Sequence, residues 1–384
     1  MEIYLDNSAT TRVYPEVMEL LVKCMEEDYG NAASLHKKGI DAEKYIKTAK
    51  EQIAATLRVE PKNIYFTSGG TESNNWALIG GAEANKRAGR HLITTCVEHA
   101  SIKNVMRYLE DQGYEVTYLP VNEFGEVKLE TLISAIRPDT ILVSVMAVNN
   151  EIGAVEPIDE IGKWLKNNRP DILFHVDAIQ AYGKYDIFPK RSHIDMLSVS
   201  GHKFHAPKGT GFLYVADGVK LKPYIFGGGQ QKGMRSGTEN VPGDAGIGLA
   251  AEMMYRDREE NVAKMYENKF RLIEGLEKLE GTRVNGRKDE SSAPHIVSCS
   301  FTGVRSEVLL HALEAKGIFV SSGSACSSSH PSEINTLLAI GLKKEEQDGT
   351  IRFSFSEQTT KEEIDSTLEA LKELLPMLRR FVRR

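Results

Sequence analysis

Short runs that are apolar almost throughout, set apart by stretches with helical spacing, restrict what this chain can fold into. They are Ile64 to Thr67, His91 to Thr95, Val116 to Pro120, Ile141 to Val148, Ile172 to Val176, Met196 to Ser200 and Gly211 to Val215. A strand with one wet face alternates apolar and polar residues, whereas one apolar throughout needs cover on both faces, as in a parallel sheet. Helical patterns between the runs, among them Ser73 to Arg87 and Glu156 to Asn167, supply that cover. The reading is an α/β domain. Beyond Gly227-Gly228-Gly229 and the turn Val241-Pro242-Gly243-Asp244, one long helical pattern runs from about Gly246 to Leu279. Strand candidates His295 to Phe301 and Thr350 to Phe355 then flank a helix near Ser306 to Lys316, and a charged helix from Thr360 follows. This change of style predicts a smaller α+β domain, completed by the N-terminal segment. At 384 residues two domains are the expectation, with residues 15–255 as the large one and 1–14 with 256–384 as the small one.

A hydrophobic content of 41% and a charged content of 27% describe an ordinary soluble protein. A net charge of -6 gives no basic footprint for nucleic acid or anionic lipid, so the expected ligand is a small molecule. No apolar run reaches the roughly 20 residues that span a bilayer, and the first residues lack a charged start with an apolar signal core, which together predict a cytoplasmic protein. The cysteines, Cys24, Cys96, Cys299 and Cys326, are widely spaced and form no zinc or redox motif. They are expected to be thiols, and no metal site is expected.

The chemistry begins at Lys203, which follows the apolar run Leu197-Ser198-Val199-Ser200 and the turn Gly201-His202. An amine at a strand terminus, if burial lowers its proton affinity, can trap a carbonyl as a Schiff base. Taken alone, it reads equally as a solvated turn residue. Asp177, followed by Gln180, ends another apolar run, where a carboxylate can pair with a pyridine nitrogen or cap a helix. Thr67-Ser68-Gly69-Gly70-Thr71-Glu72-Ser73-Asn74 reads as a strand, a glycine turn and a helix start. Its N–H groups and the Thr71 hydroxyl suit a phosphate, or form an ordinary capped turn. His99 could stack on a ring and move protons, or be structural. All four candidates stand at the C-terminal ends of strand candidates, where open α/β sheets gather ligands. An acid, an amine and a phosphate cradle together point to pyridoxal phosphate. A nicotinamide dehydrogenase is excluded, because no Gly-x-Gly-x-x-Gly turn follows the first strand.

Several blocks, in order over nearly the whole chain, resemble cysteine desulfurases of the NifS/IscS type, fold-type I pyridoxal-phosphate enzymes of the class V aminotransferase family. They are Tyr4 to Thr11, Thr67 to Asn74, Glu98-His99, Val148 to Gly153, His175 to Ala178, Ser200 to Lys203 and Arg235 to Thr238. The resemblance implies a large domain with a mainly parallel seven-stranded sheet and helices on both faces. It implies that Lys203 holds pyridoxal 5'-phosphate as a Schiff base and that Gly70, Thr71, Ser200 and His202 contact its phosphate, with Thr238 coming from the second subunit of a homodimer. Asp177 would pair with the pyridine nitrogen, Gln180 with the phenolic oxygen, His99 with the ring face as acid and base, and Asn149 would lie beside the cofactor and substrate. Arg352 would bind the carboxylate of L-cysteine.

Ser321-Ser322-Gly323-Ser324-Ala325-Cys326-Ser327-Ser328-Ser329-His330 is a run of small residues with little apolar surface to anchor it, so a mobile loop is expected. Its thiol reads either as an exposed cysteine or as a tethered nucleophile. The resemblance makes Cys326 the acceptor of the substrate's sulfur, which a partner such as an iron–sulfur scaffold then receives. Cys24, Cys96 and Cys299 sit in helical or strand patterns and are expected to be packed. The chain departs from the family at Ser356-Glu357-Gln358, where a glycine and a basic residue are common, and at Ala147, where some relatives carry histidine. Selenocysteine lyase and aminotransferase chemistry would share Lys203 and Asp177, and a non-enzymatic sulfur carrier would keep the fold without turnover.

Overall fold

The computed structural model describes residues 2–322 and 335–380. After β1 (Ile3–Tyr4), seven strands follow: β2 (Ile64–Thr67), β3 (His91–Thr95), β4 (Glu115–Leu119), β5 (Thr140–Met146), β6 (Leu173–Asp177), β7 (Met196–Ser200) and β8 (Gly211–Val215). They form one sheet in the order β2-β8-β7-β6-β5-β3-β4. Neighbours from β7 through β4 run parallel, while β8 is antiparallel to both β7 and β2. Alternate residues enter separate cores: Ile93, Val143, Leu197 and Phe212 on one side, Leu92, Leu142, Met196 and Leu213 on the other. Both faces are therefore covered, which is why these strands read as unbroken apolar runs.

The helix Lys37–Leu57 packs on the helix Val241–Arg256. A Cβ on Gly248 would come within 2.5 Å of the Ala49 Cα, so this crossing needs the bare glycine. The long pattern from Gly246 is two helices, Val241–Arg256 and Arg258–Glu277, broken at Asp257, whose φ of -113° and ψ of 20° leave the helical region. Arg258, the first residue of the second helix, pairs with Asp186 in the segment that follows β6.

Strands β9 (Thr282–Asn285), β10 (Ile296–Phe301), β11 (Ile318–Phe319), β12 (Ser321–Ser322) and β13 (Thr350–Ser354) follow. Four make an antiparallel sheet in the order β12-β13-β10-β9, while β11 pairs with β1 in parallel. Ile3 and Leu5 join a third core with Leu272, Phe301, Phe353 and Leu371, so the N-terminal strand packs with the C-terminal elements. The stretch from Ser321 is anchored at its start, because Ser321 pairs with Arg352 in β13. Cys326 lies outside the described residues. Cys24 and Cys299 are buried, but Cys96 stands half-buried in the turn after β3 rather than in a packed element. Among the described residues no helix is long and apolar enough to cross a membrane, and no group of His, Cys, Asp and Glu is arranged to hold a metal.

Candidate active site

A cavity of about 390 Å³ opens at the C-terminal edge of the large sheet and is walled on its far side by the small sheet. Gly70, Thr71, His99, Asp177, Gln180, Ser200, His202, Lys203 and Arg352 line it. Asn149 and Thr238 do not. Asn149 is buried and shapes its loop: its Nδ2 donates to Val97 O at 3.0 Å, and its Oδ1 accepts from the N–H groups of Glu151 and Ile152. Its neighbours Asn150 and Glu151 face the cavity instead. Thr238 is exposed, on a loop held by Arg235, which forms a two-pronged pair with Glu72.

Lys203 follows β7 in a short turn, and its Nζ donates to the carbonyl oxygens of Ser8 and Ala9 at 2.6 and 2.8 Å. That N-terminal segment is stapled to the turn by Thr11, whose N–H and hydroxyl both donate to His202 O.

Asp177 ends β6, fully enclosed. Its Oδ1 accepts from the Ile179 N–H at 2.9 Å and its Oδ2 from Asn74 Nδ2 at 2.8 Å. Burial pushes its carboxyl up, against those bonds and the charges of His99 and Lys203. Such a site favours a cationic N–H as partner. The second Asn74 hydrogen goes to Ser101 Oγ at 2.9 Å, and that hydroxyl lies 2.9 Å from His99 Nδ1. The Ser101 N–H also donates to His99 Nδ1, so His99 caps the helix Ala100–Asp111. Nδ1 is thus an acceptor, which assigns the ring proton to Nε2. Burial and the nearby Lys203 and Lys103 charges lower the pKa of His99, against the pull of Asp177, so the ring is neutral near pH 7.

At the opposite end the chain turns through Gly69, φ +149°, into a continuous helical segment from Gly70 to Asn85 that widens to a π turn over Trp76–Gly80. A Cβ on Gly70 would meet Ile179 Cδ1 at 2.1 Å and Ser200 Cβ at 3.3 Å. His202 Nδ1, Ser8 Oγ and Arg352 Nε are buried without a hydrogen-bond partner among the described residues. Burial and the Lys203 and Lys208 charges bring His202 down to about 4, so it too is neutral. Gln180 donates to Ser8 O at 3.0 Å and accepts from His295 Nε2 at 3.1 Å, leaving a second amide hydrogen for a ligand. Hydroxyl and amide donors at one end, an acid at the other and an amine between fit a phosphate ester bearing an aldehyde and a basic ring nitrogen.

Arg352 on β13 donates through Nη1 to Asn150 O at 2.8 Å and through Nη2 to Asp6 Oδ1 at 2.9 Å. Ser8, Asn74, Ser101, Asn150 and Glu151 were not singled out from the sequence. All but Ser101 lie in the blocks that carry the resemblance, while Ser101 stands two residues past His99.

The cysteine desulfurase IscS of Methanosarcina thermophila is 45% identical over 98% of this chain and 93% of its own length. A solved NifS-like protein superposes with a TM-score of 0.93 at 38% identity, covering 98% of this chain and all of that one. SspA, solved in complex with cysteine, gives 0.81 at 34% identity over 94% of this chain and all of its own. The family model described as aminotransferase class-V matches residues 3–367, and the chain belongs to that family.

Proposed function

We propose that this chain is a pyridoxal-phosphate-dependent cysteine desulfurase, converting L-cysteine to L-alanine and handing the sulfur to acceptors. The observation that carries it is the convergence of the Lys203 amine, the enclosed Asp177 carboxyl and the Gly70 turn on one cavity, in a chain similar over nearly its whole length to named desulfurases.

Bound there, pyridoxal phosphate supplies an electron-accepting ring conjugated to the substrate's nitrogen. Gly70, Thr71, Ser200 and His202 hold the phosphate, Gln180 the phenolic oxygen, and Asp177 the ring nitrogen, with Asn74 and the Ile179 N–H keeping that carboxylate aimed. Arg352 receives the substrate carboxylate through its buried Nε and the adjacent Nη2, a side-on fork fixed by Asp6 and Asn150. The Lys203 amine would take the Cα proton, and His99, with its own proton on Nε2, would exchange a proton there. Met146, Val148 and Ile179 add apolar surface to the cavity wall. Cys326, as thiolate, takes the substrate sulfur: the S–S bond forms as the Cβ–S bond breaks, the electron pair of that bond stays with the carbon skeleton, and protonation there gives the methyl group of alanine.

The working unit is a homodimer in which Thr238 reaches the partner's phosphate site. The division is placed at residues 15–255 against 1–14 with 256–384; the core of Leu272, Phe301 and Phe353 draws only on the second group, while Tyr14 and Ala293 pack into the large core. The setting is cytoplasmic, with an iron–sulfur scaffold as one acceptor. Incubating the cofactor-loaded protein with L-cysteine and reductant should give alanine and sulfide in equal amounts. No alanine above a protein-free control overturns the reading.

A further inference from the structure

Beneath the cavity floor lies a lysine that the proposed chemistry does not use. After Asp177, Ile179 and Gln180 have faced the cavity, the chain turns at Gly183, φ +81°, where a Cβ would press on Met254 Cγ at 2.8 Å. That turn carries Lys184 inward, to 5% exposure. Its Nζ donates to the carbonyl oxygen of Lys203 at 2.8 Å. Lysines are rarely enclosed to this degree, because burying an ammonium costs free energy that partners must offset.

The surroundings show how the charge is kept. Glu357 accepts from Tyr14 Oη at 2.9 Å and pairs with His205 at 3.1 Å, and its negative charge acts on Lys184. Arg258 bonds the Lys184 carbonyl and spends its charge on Asp186. Among the described residues, His99, Asp177, His202 and His295 couple to the charge of Lys203, as does Lys184 itself.

We infer that Lys184 is a positioning residue for Lys203: its ammonium clamps the turn carrying the reactive amine and, as a like charge behind it, sets the pH at which the Lys203 nitrogen gives up its proton. This inference rests on the Schiff-base role proposed for Lys203. The coupling is reciprocal. Burial first, then the Lys203 charge, bring Lys184 down to about 8 against the pull of Glu357, and Lys184 disfavours a positive charge on the Lys203 nitrogen in turn.

The test titrates the visible absorbance of the cofactor-loaded protein against pH in wild type, Lys184→Gln and Lys184→Arg. Glutamine keeps a donor for the Lys203 carbonyl and removes the charge, so the midpoint should move up by about one unit. Arginine keeps the charge, so its midpoint should stay at or below that of wild type. Equal upward shifts in both variants, or no shift in Lys184→Gln, overturn the inference. Should Lys184→Gln fail to fold, Lys184→Arg decides alone, and a midpoint above wild type overturns it. Borohydride reduction and peptide mapping of the same samples separate the two levels. A label away from Lys203 removes the functional reading itself, whereas a label on Lys203 with an unmoved midpoint removes only the role of Lys184.

Discussion

Arg352 Nη2 lies 2.9 Å from Asp6 Oδ1, so a strand of the small sheet and the N-terminal segment together fix the guanidinium in the cavity wall. The pair is mostly enclosed, with side-chain exposures of 12% and 21%. An arginine so held presents its remaining N–H groups in one plane and loses little freedom on binding a carboxylate.

Replacing Arg352 by lysine keeps the charge and removes the fork. The loss of one charge-assisted bond, about 1.5–3 kcal/mol, should raise KM for L-cysteine roughly tenfold or more. Asp6→Asn, which frees the guanidinium to turn, should raise KM less. Steady-state kinetics check both, and an unchanged KM in Arg352→Lys would place the carboxylate elsewhere.

Gly70→Ala should fold and bind cofactor poorly. Its Cβ would displace Ile179 and narrow the space beside Ser200. We expect at least a tenfold rise in the dissociation constant for pyridoxal phosphate, with the far-ultraviolet circular dichroism of wild type. Wild-type affinity would mean that the phosphate does not sit against this turn.

Stability should fall as pH rises from about 6.5 to 8. Burial pushes Glu98, Glu156 and Asp244 each up to about 8 in the folded chain, against roughly 4 in an unfolded one. In this window the folded state holds protons that the unfolded state has released, so stability drops with pH. The buried histidines have folded values below the unfolded one near 6.5, so their contribution is complete above that pH and is lost only on the acid side. Glu98→Gln, an isostere of the protonated acid, should flatten the slope of urea-denaturation stability against pH. A slope equal to that of wild type would show that Glu98 is ionised in the fold.

Strands β2, β3, β7 and β8 were legible to the residue, because two-sided burial writes an apolar run and the polar turn chemistry marks its ends. The two-residue strands β1, β11 and β12 were not, since so short a piece carries no period. The break at Asp257 was hidden between good helix formers; Arg258, beside it, is tied to the distant Asp186. Within the cavity, the residues at strand ends were readable from position and chemistry. The carbonyls of Ser8 and Ala9 were not, because their approach to Lys203 joins positions some 195 residues apart through the backbone, which side-chain identity does not encode. Asn149 shows the reverse. Its type suits a ligand contact, but the loop consumes its side chain and turns Asn150 and Glu151 to the cavity.

The most direct test compares wild type with Cys326→Ser, each loaded with pyridoxal phosphate, for the visible band and for alanine and sulfide released from L-cysteine under reductant. The account predicts that both proteins are yellow and that only the wild type releases the two products. A colourless wild type would contradict the assignment of Lys203, and a serine variant releasing sulfide at the wild-type rate would contradict sulfur transfer to Cys326.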